Sequence, residues 1–397
     1  MTQPTPIRRV PGGPPRLLGL CAGYGGLEMA AAELLGATTV AYAEKDPFAA
    51  RVFATHHPGV PNLGDITTAD WDQAAALGVD VIAAGFPCTD ISNAGRRVGI
   101  RGKQSGIWTN VAEAVRHLRP RLVLLENVAA IRSRGLDVVA QDLAAIGYDA
   151  RWTCLRAGDP EVGAPHPRDR WFAVAHPADA DPHHLGRHWR TRHQPETQGR
   201  PEPPHRRHPA PPALRDDVRL LPTPVAADAR GTANFRADGT PYGSGYGHTL
   251  TDAVRSLLPT PAARDWKSGA SNLLGRNSRP LNEVVVNLLA ETSHDVGQWI
   301  ASDGTDYGPA VRRWEQRTGR PAPCPTEPGT RGNRRLAPAF AEWLMGLPAG
   351  WVTDVADIPR KEQLRILGNG VVPQQALLAY TTLLGLHTTH TRAEVAA

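Results

Sequence analysis

The chain of 397 residues lacks the features that mark secreted and membrane proteins. It contains only four cysteines, and their wide spacing includes no C-x-x-C pair. This pattern disfavours both a disulfide framework and a zinc site, and it fits a reducing compartment. No apolar run approaches the ~18 residues of a membrane span, and the polar start of the sequence does not resemble a signal peptide. We therefore expect a cytoplasmic protein with no membrane partner and no bound metal.

Lysine is also scarce, with four lysines against 40 arginines and a formal net charge of +5. A GC-rich coding sequence explains the arginine bias, so the total charge permits a nucleic-acid partner without requiring one. The distribution is more informative, because residues 182–215 hold seven arginines and two glutamates among eight prolines and six histidines. This segment has no apolar periodicity, which predicts an exposed basic linker.

Strand-like apolar runs alternate with helical patterns from Arg16 onward. The strand-like runs cover residues 16–22, 38–46, 79–84, 121–128, 148–157 and 170–176, and helical spacing covers 106–118 and 137–147. This alternation predicts an α/β fold with a mixed, mostly parallel sheet and helices on both faces. The proline- and glycine-rich remainder predicts a smaller, irregular second domain, with residues 304–335 as loops and a helical pattern at 340–351.

Polar groups follow the first strands of the predicted sheet. The glycine-rich turn CAGYGG (21–26) comes after the first strand and before a helix, where a backbone can approach a ligand closely. Glu44 ends the second strand, and Asp65 ends the next extended stretch. Each carboxylate taken singly is more often a cap or a turn residue. Because ligands bind at the carboxyl edge of such sheets, the three features together predict a nucleoside site.

A thiol is expected at the same edge. Cys88 follows the apolar run VDVIAA and Pro87, and it begins a polar loop. Buried free cysteines are usually small hydrophobes, and that interpretation suits Cys154. Loops carry function more often than packing, and a thiol beside arginines is partly ionised, so Cys88 is a candidate nucleophile.

An acid and two arginines complete this group. Glu126 follows the apolar run RLVLL, where a carboxylate is costly to bury unless it is paired. Arg168 and Arg170 lead into the last strand one residue apart, so an extended chain places them on the same side. They are either a salt-bridged entry to the strand or the partners of a polar substrate and Glu126.

Five motifs in the chain resemble those of the cytosine carbon-5 DNA methyltransferase family. In order, they are RLLGLCAGYGGLEMA, GFPCTDIS, ENV, HPRDR and LGNGVVPQQA. They span about residues 16–176 and 335–380, and their combination and order are highly specific. The resemblance implies S-adenosylmethionine as cofactor and double-stranded DNA as substrate.

The resemblance also implies a mechanism and its residues. Cys88 attacks carbon 6 of a cytosine flipped out of the duplex, and Glu126 contacts ring nitrogen 3 and the amino group. Arg170 steadies the cytosine oxygen, with Arg168 in support. Addition of the thiolate makes carbon 5 enamine-like, so that it accepts the methyl group, and water removes the carbon-5 proton. The implied cofactor-binding residues are Cys21, Ala22, Gly23, Gly25, Gly26, Glu44, Asp65, Pro87, Asn369 and Val371.

The family pattern divides the chain into five parts. A tail (1–15) precedes the first part of a Rossmann-like catalytic domain (16–176). A target-recognition domain (177–334) follows, and then the return to the catalytic domain (335–386) and a second tail (387–397). We expect a monomer in a bacterial or virus-infected bacterial cell, and the sequence leaves open whether a cognate restriction endonuclease exists.

Four positions depart from the family pattern, and three other functions compete with it. Cys21 stands where the family usually has Phe, Lys45 where it often has Trp, and Thr89 and His166 where it usually has Gln. The alternatives are an RNA cytosine methyltransferase, a nicotinamide-dependent oxidoreductase and a catalytically silent DNA-binding protein. The insertion at 177–334 favours DNA over RNA because it suits reading of the major groove. The last two alternatives leave Cys88 and Glu126 without a joint role.

Overall fold

The computed structural model describes residues 13–87, 107–178, 257–266, 280–288, 299–301, 305–329 and 333–386. Several sequence predictions lie outside these residues: most of the N-terminal tail, the loop that begins at Cys88, the basic segment 182–215 and the C-terminal tail.

The described chain contains one large sheet. Its six strands are β1 (Arg16–Leu20), β2 (Thr38–Ala43), β3 (Val81–Gly85), β4 (Leu122–Val128), β5 (Tyr148–Arg156) and β6 (Asp169–Pro177). They lie in the order β2-β1-β3-β4-β6-β5, with β1 to β4 parallel and β6 antiparallel to both of its neighbours. The prediction of a mixed, mostly parallel sheet is confirmed.

The strand order creates a switch point beside β1. The chain passes from β1 to β2 on one side and later to β3 on the other, so the connections leave in opposite directions. A crevice opens at the carboxyl ends of the strands at such a point, and ligands bind there in open α/β sheets. The apolar residues of β1 and β3, and Leu122 to Leu125 of β4, are fully buried, which explains these apolar runs in the sequence.

Eleven helices lie in the described residues. They are α1 (Gly26–Leu35), α2 (Pro47–His56), α3 (Trp71–Ala76), α4 (Ile107–Leu118), α5 (Ile131–Arg134), α6 (Leu136–Ile146), α7 (Leu281–Val286), α8 (Gly308–Thr318), α9 (Pro338–Leu344), α10 (Arg360–Asn369) and α11 (Pro373–Leu383). Two short strands, β7 (Thr326–Pro328) and β8 (Arg334–Leu336), pair with each other. None of the described helices is long and apolar enough to cross a membrane.

Both faces of the large sheet are covered. Apolar side chains of α4 and α6 pack on one face, around Ile82 and Leu125. Those of α1 and α11 pack on the other, around Ala83 and Leu124. The C-terminal helix α11 therefore belongs to the same core as the first helix, although more than 300 residues separate them in sequence.

A tyrosine of the glycine-rich turn joins the two ends of the chain. The buried Tyr24 hydroxyl donates to the Val371 carbonyl over 2.6 Å, and the Trp351 indole N–H donates to the Tyr24 carbonyl over 2.8 Å. The Tyr24 ring lies so close to Gly370 that a Cβ at that position would overlap it. A glycine between Asn369 and Val371 therefore lets the returning chain reach the turn.

Two sequence predictions about elements were wrong. The runs 16–22 and 38–46 extend past their strands, which end at Leu20 and Ala43. Cys21 ends β1 because its φ of 53° is left-handed. Residues 304–335 are predicted as loops, yet α8 lies within them, with Gly319 as its left-handed C-cap. Its buried face is narrow and centres on Val311 and Trp314, which makes the helical spacing hard to detect.

Candidate active site

A cavity of about 320 Å³ lies at the carboxyl ends of β1 to β4. Residues from both ends of the chain line it. Those predicted from the sequence are Cys21, Ala22, Gly23, Gly26, Glu44, Asp65, Pro87, Glu126, Arg170, Asn369 and Val371. Its volume is at the small end of the range for ligand pockets. The structure thus brings the predicted nucleoside site together with Glu126 and Arg170 of the predicted acid–arginine group.

The glycine-rich turn forms one wall of this cavity. Its backbone is left-handed at Cys21, Gly23 and Gly25, with φ values of 53°, 57° and 91°. Gly25 is the N-cap of α1, so the turn leads directly into a helix N-terminus. Gly25 itself does not line the cavity, because it faces the Phe53 ring instead. The N-terminus of α1 gives this wall a partial positive charge.

Glu44 follows β2 and is held by the backbone. One carboxylate oxygen accepts the Gly23 N–H over 2.9 Å, and the other accepts the Asp46 N–H over 2.8 Å. Burial raises the pKa of Glu44, and these two backbone hydrogen bonds act in the opposite direction. Each oxygen keeps a free lone pair, so the carboxylate can still accept from a pair of hydroxyl groups.

Asp65 is more exposed than Glu44 and forms the outer rim. Its Oδ1 accepts the backbone N–H and the hydroxyl of Thr67, both over 3.0 Å. The Thr67 backbone hydrogen bond lowers the pKa of Asp65, and Lys45 lowers it further. The Lys45 ammonium lies 3.6 Å from Asp65 Oδ2. Lys45 thus brings a cation to the rim at the position where the family often has an aromatic ring.

Glu126 and Arg170 form a buried ion pair at the opposite side of the cavity. Glu126 lies opposite Phe172 in the β4–β6 ladder, so Arg170 is its diagonal neighbour on the same face. The Arg170 Nε lies 3.0 Å from Glu126 Oε1. Burial raises the pKa of Glu126, while Arg170 and then Arg168 act to lower it. The carboxyl group is therefore poised to hold or share a proton in a dry site.

Arg168 does not join this pair, and it does not line the cavity. The residue is 2% exposed, and its guanidinium donates to the carbonyls of Gly368, Gly370 and Pro261. Arg168 and Arg170 therefore contact different groups, although the alternation of an extended chain predicts a shared side. Arg168 holds the chain at Gly368 and Gly370 beside the site. It acts to lower the pKa of Glu126 through its charge and not through a direct contact.

The backbone before Cys88 is fixed by the residue after Glu126. Gly85 pairs with Glu126 in the parallel β3–β4 ladder. The buried Asn127 amide donates to the Phe86 carbonyl over 3.1 Å. Cys88 itself lies outside the described residues, so its assignment as a nucleophile remains a prediction from the sequence. The chain that leads to it ends, at Pro87, on the lining of the cavity.

Two cysteines in the described part of the chain, Cys21 and Cys154, are poor candidates for a nucleophile. Burial raises the pKa of Cys21 to about 12, and Glu44 adds to the effect. Burial also raises the pKa of Cys154. Both thiols are therefore neutral near pH 7. Across the described residues, no group of three or more His, Cys, Asp and Glu side chains could hold a metal ion.

Sequence reasoning missed four residues of the site. Tyr24 and Asn127 lie inside quoted motifs, but only the structure reveals their hydrogen bonds. Arg365 lines the cavity and reaches Asp46 over 2.6 Å. The fourth is Glu28, a buried acid on α1 that also lines the cavity. An acid at the third position of a helix reads as an ordinary first-turn residue, so its burial gives no signal in the sequence.

Comparison with known proteins identifies the family. Residues 16–379 match the family described as C-5 cytosine-specific DNA methylase. The match covers most of the chain and both parts of the site. The chain therefore belongs to this family, as its motifs predict.

Several curated relatives are Type II methyltransferases. The chain is 33% identical to M.CviJI of a Paramecium bursaria Chlorella virus over 43% of its own length and 45% of that protein. It is 30% identical to M2.BsuMI of Bacillus subtilis over 40% of its length and 41% of that protein. It thus spans less than half the length of these two relatives. With M.NlaX of Neisseria lactamica it is 25% identical over 67% of its length and 82% of that protein.

Solved structures share the fold. The S. pombe Dnmt2 methyltransferase has a TM-score of 0.50 at 16% identity, over 93% of this chain and 98% of that one. The Entamoeba histolytica methyltransferase EhMeth has a TM-score of 0.50 at 14% identity, over 94% of this chain and 99% of that one. These likenesses concern the architecture alone.

The cavity fits the methyl donor that the family implies. S-adenosylmethionine combines a ribose diol with a cationic sulfonium and an ammonium group. The cavity offers the Glu44 carboxylate for a diol and the N-terminus of α1 for polar groups. The buried Glu28 oxygens have no hydrogen-bond partner among the described residues, and such atoms suit a positively charged ligand. The donor set therefore agrees with the implied cofactor.

Proposed function

We propose that this protein transfers a methyl group from S-adenosylmethionine to carbon 5 of a cytosine in a specific double-stranded DNA sequence. One observation carries the proposal: a single cavity at the switch point of the sheet joins the Glu44 cradle to the buried Glu126–Arg170 pair. A nucleoside site alone occurs in many α/β enzymes. The adjacent acid–arginine pair adds a carboxyl group and a guanidinium group, which can bind the polar edge of a pyrimidine.

The cofactor half of the cavity has the task of holding the donor. When bound, S-adenosylmethionine supplies an electrophilic methyl group. Glu44 would accept the ribose hydroxyls, and the glycine-rich turn from Cys21 to Gly26 would hold the donor at the N-terminus of α1. Asp65 accepts the adenine amino group at the rim. Lys45, which lies 3.6 Å from Asp65, would bring a cation to the rim in place of the aromatic ring that the family often has there.

The base half of the cavity activates the cytosine. The Cys88 thiolate adds to carbon 6, and Glu126 holds a proton at ring nitrogen 3, so the electrons of the addition have a place to go. Burial, which raises the pKa of Glu126, suits this task because it favours the form of the carboxyl group that carries a proton. Arg170 fixes the Glu126 carboxyl group and faces the cytosine oxygen. This preorganised pair lowers the barrier without moving in the reaction.

Positioning of the nucleophile falls to β3, β4 and Asn127. The Asn127 amide holds the Phe86 carbonyl, two residues before Cys88. Misplacement of a reacting atom by about 1 Å costs about 100-fold in rate, so such a tether matters. After methyl transfer, water removes the carbon-5 proton and the cysteine leaves.

Partners and location follow from the same proposal. The curated relatives carry the name Type II methyltransferase. We propose a monomeric modification enzyme in a bacterial or virus-infected bacterial cytoplasm, with DNA as its partner. A cognate endonuclease is a further proposed partner. An RNA cytosine methyltransferase shares the chemistry, and the description of the family favours DNA.

Covalent trapping tests the proposal. Duplex DNA that contains 5-fluorocytosine cannot lose a proton from carbon 5, so the adduct at Cys88 should persist on a denaturing gel when S-adenosylmethionine is present. Cys88→Ser should form no adduct, and Cys154→Ser should trap like the wild type. Bisulfite sequencing of DNA from expressing cells then gives the target sequence. Absence of an adduct with every duplex, together with unmethylated DNA, would overturn the proposed function.

A further inference from the structure

The mechanism leaves one buried acid of the cavity unused. Glu28 lies in the first turn of α1, is 2% exposed and lines the cavity together with Glu44 and Glu126. Neither of its carboxylate oxygens has a hydrogen-bond partner on another described residue, and only the backbone N–H of Glu28 itself acts to lower the pKa of the acid. Buried polar groups are nearly always paired, and an unpaired carboxylate is among the costliest exceptions. A partner that arrives in the cavity would account for this one.

The sheet makes room for this carboxylate. Glu28 Oε1 lies directly against Gly19 of β1, where a Cβ would overlap it. Gly19 pairs with Tyr42 of β2 and with Ala83 of β3, so the carboxylate sits over the switch point itself. Any larger residue at position 19 would displace the acid from the sheet. The packing therefore holds the acid at the centre of the ligand crevice.

No cationic side chain in the described part of the chain pairs with Glu28. Glu44 faces it from the end of β2, Cys21 from the end of β1, and Tyr380 from α11. Burial raises the pKa of Glu28 to about 8, and Glu44 contributes to the rise. The cations on the lining are already engaged, because Arg365 pairs with Asp46, Lys45 with Asp65 and Arg170 with Glu126. A cationic ligand would thus meet a protonated acid and draw off its proton.

We propose that Glu28 binds the positive charge of the methyl donor, at its sulfonium centre or its ammonium group. This inference rests on the proposed function, and it assigns a residue of this chain to the charged end of the cofactor. Charge-assisted contacts in a dry site are stronger than neutral ones. Glu28 would therefore favour a cationic nucleoside over a neutral one of the same shape.

Calorimetric titration of the full chain with three compounds tests the assignment. S-adenosylmethionine carries both positive groups, S-adenosylhomocysteine only the ammonium, and methylthioadenosine neither. Glu28→Gln should weaken binding of S-adenosylmethionine about 10- to 100-fold and change binding of methylthioadenosine less than about twofold. A loss shared by S-adenosylhomocysteine assigns the contact to the ammonium. A loss confined to S-adenosylmethionine assigns it to the sulfonium.

Glu33→Gln is the matched control, because Glu33 lies on the same helix and is exposed. It should bind all three compounds like the wild type. Equal affinity of wild type and Glu28→Gln for S-adenosylmethionine would overturn the inference and leave the proposed function intact. A wild type that binds none of the three compounds would overturn both. An equal loss for methylthioadenosine would also reject the assignment, because it would indicate a damaged cavity.

Two further measurements distinguish a role of Glu28 in ligand binding from a role in the stability of the fold. Without ligand, Glu28→Gln should melt no lower than the wild type, because it removes an unpaired buried acid. Binding of S-adenosylmethionine near pH 7 should release a proton from the wild type, measured in buffers of different ionisation enthalpy, and none from Glu28→Gln. A lower melting temperature with unchanged proton release would mean that Glu28 serves the fold.

Discussion

The acids in the two halves of the cavity differ in their partners. In the base half, Glu126 is paired with Arg170 over 3.0 Å, and the Asn127 amide donates to the carbonyl of Phe86, the residue after β3. In the cofactor half, Glu44 is held only by backbone N–H groups, and Glu28 has no partner in the described structure. The acid of the base half thus has a cationic partner, whereas Glu28 in the cofactor half has none among the described residues.

This difference indicates a division of labour. A preorganised ion pair stabilises a transition state because it need not rearrange when charge develops. An unpaired acid stabilises whatever cation enters, so its contribution appears as ligand affinity. Substitutions in the base half should therefore act on kcat, and those in the cofactor half on the dissociation constant of the donor.

Glu126→Gln makes the strongest test of the base half. The amide cannot hand a proton to ring nitrogen 3, so kcat should fall about 100- to 10,000-fold, as is typical for loss of a general acid. Affinity for S-adenosylmethionine and for duplex DNA should change little. Rapid-quench measurement of methyl transfer and titration of each ligand would separate these effects. Glu113→Gln, on the exposed side of α4, should leave kcat unchanged. A loss of DNA affinity that accounts for the whole effect of Glu126→Gln would contradict the division.

Glu44→Gln tests the cofactor half. Glu44 accepts two backbone N–H groups, and the proposed diol contact adds two hydroxyl donors. Loss of the charged acceptor should weaken donor binding about 10- to 100-fold with a smaller change in kcat at saturating donor. Isothermal titration gives the first quantity, and initial rates give the second. Glu161→Gln, at an exposed position that does not line the cavity, is the control. Unchanged donor affinity would remove Glu44 from the site.

Much of this architecture is predictable from local sequence patterns. Buried runs such as LVLL of β4 have a clear apolar pattern, and the carboxyl-edge rule by itself places Glu44 and Glu126 at one edge of the sheet. The helix α8 escapes such reasoning because Val311 and Trp314 form a narrow stripe among charged residues. Sequence periodicity reveals wide apolar faces more reliably than narrow ones.

The contacts of the site are less predictable than its residues. Arg168 and Arg170 look equivalent in the sequence, yet one fastens Gly370 and the other pairs with Glu126. The contacts of Arg168 depend on residues about 200 positions away, which no local pattern contains. Glu28 escapes notice for a similar reason, because Gly19 of another element makes room for its carboxylate.

The unpaired acid also predicts how stability depends on pH. The folded pKa of Glu28 is about 8, above its ordinary value of 4.5, so the protonated acid favours folding at low pH. That contribution is lost as pH rises towards and through the folded pKa. Between pH 6 and pH 8.5, ligand-free wild type should lose about 2 kcal/mol of unfolding free energy more than Glu28→Gln does. Urea unfolding at both pH values measures the difference, and parallel pH profiles would contradict it.

Tyr24→Phe should produce the smallest effect, because it touches the seam between the two ends of the chain rather than a charge. It leaves the Val371 carbonyl without its 2.6 Å donor, which should reduce the unfolding free energy by about 1 kcal/mol. Val371 lines the cofactor half, so donor affinity should fall a few-fold while kcat stays nearly constant.

Tyr42→Phe is the control. It removes a longer hydrogen bond, 3.3 Å to the Ala50 carbonyl, at a buried site that does not line the cavity. It should reduce stability less and leave donor binding unchanged, which urea unfolding and titration would show. Equal effects of both variants on donor affinity would mean that the seam does not shape the cofactor half.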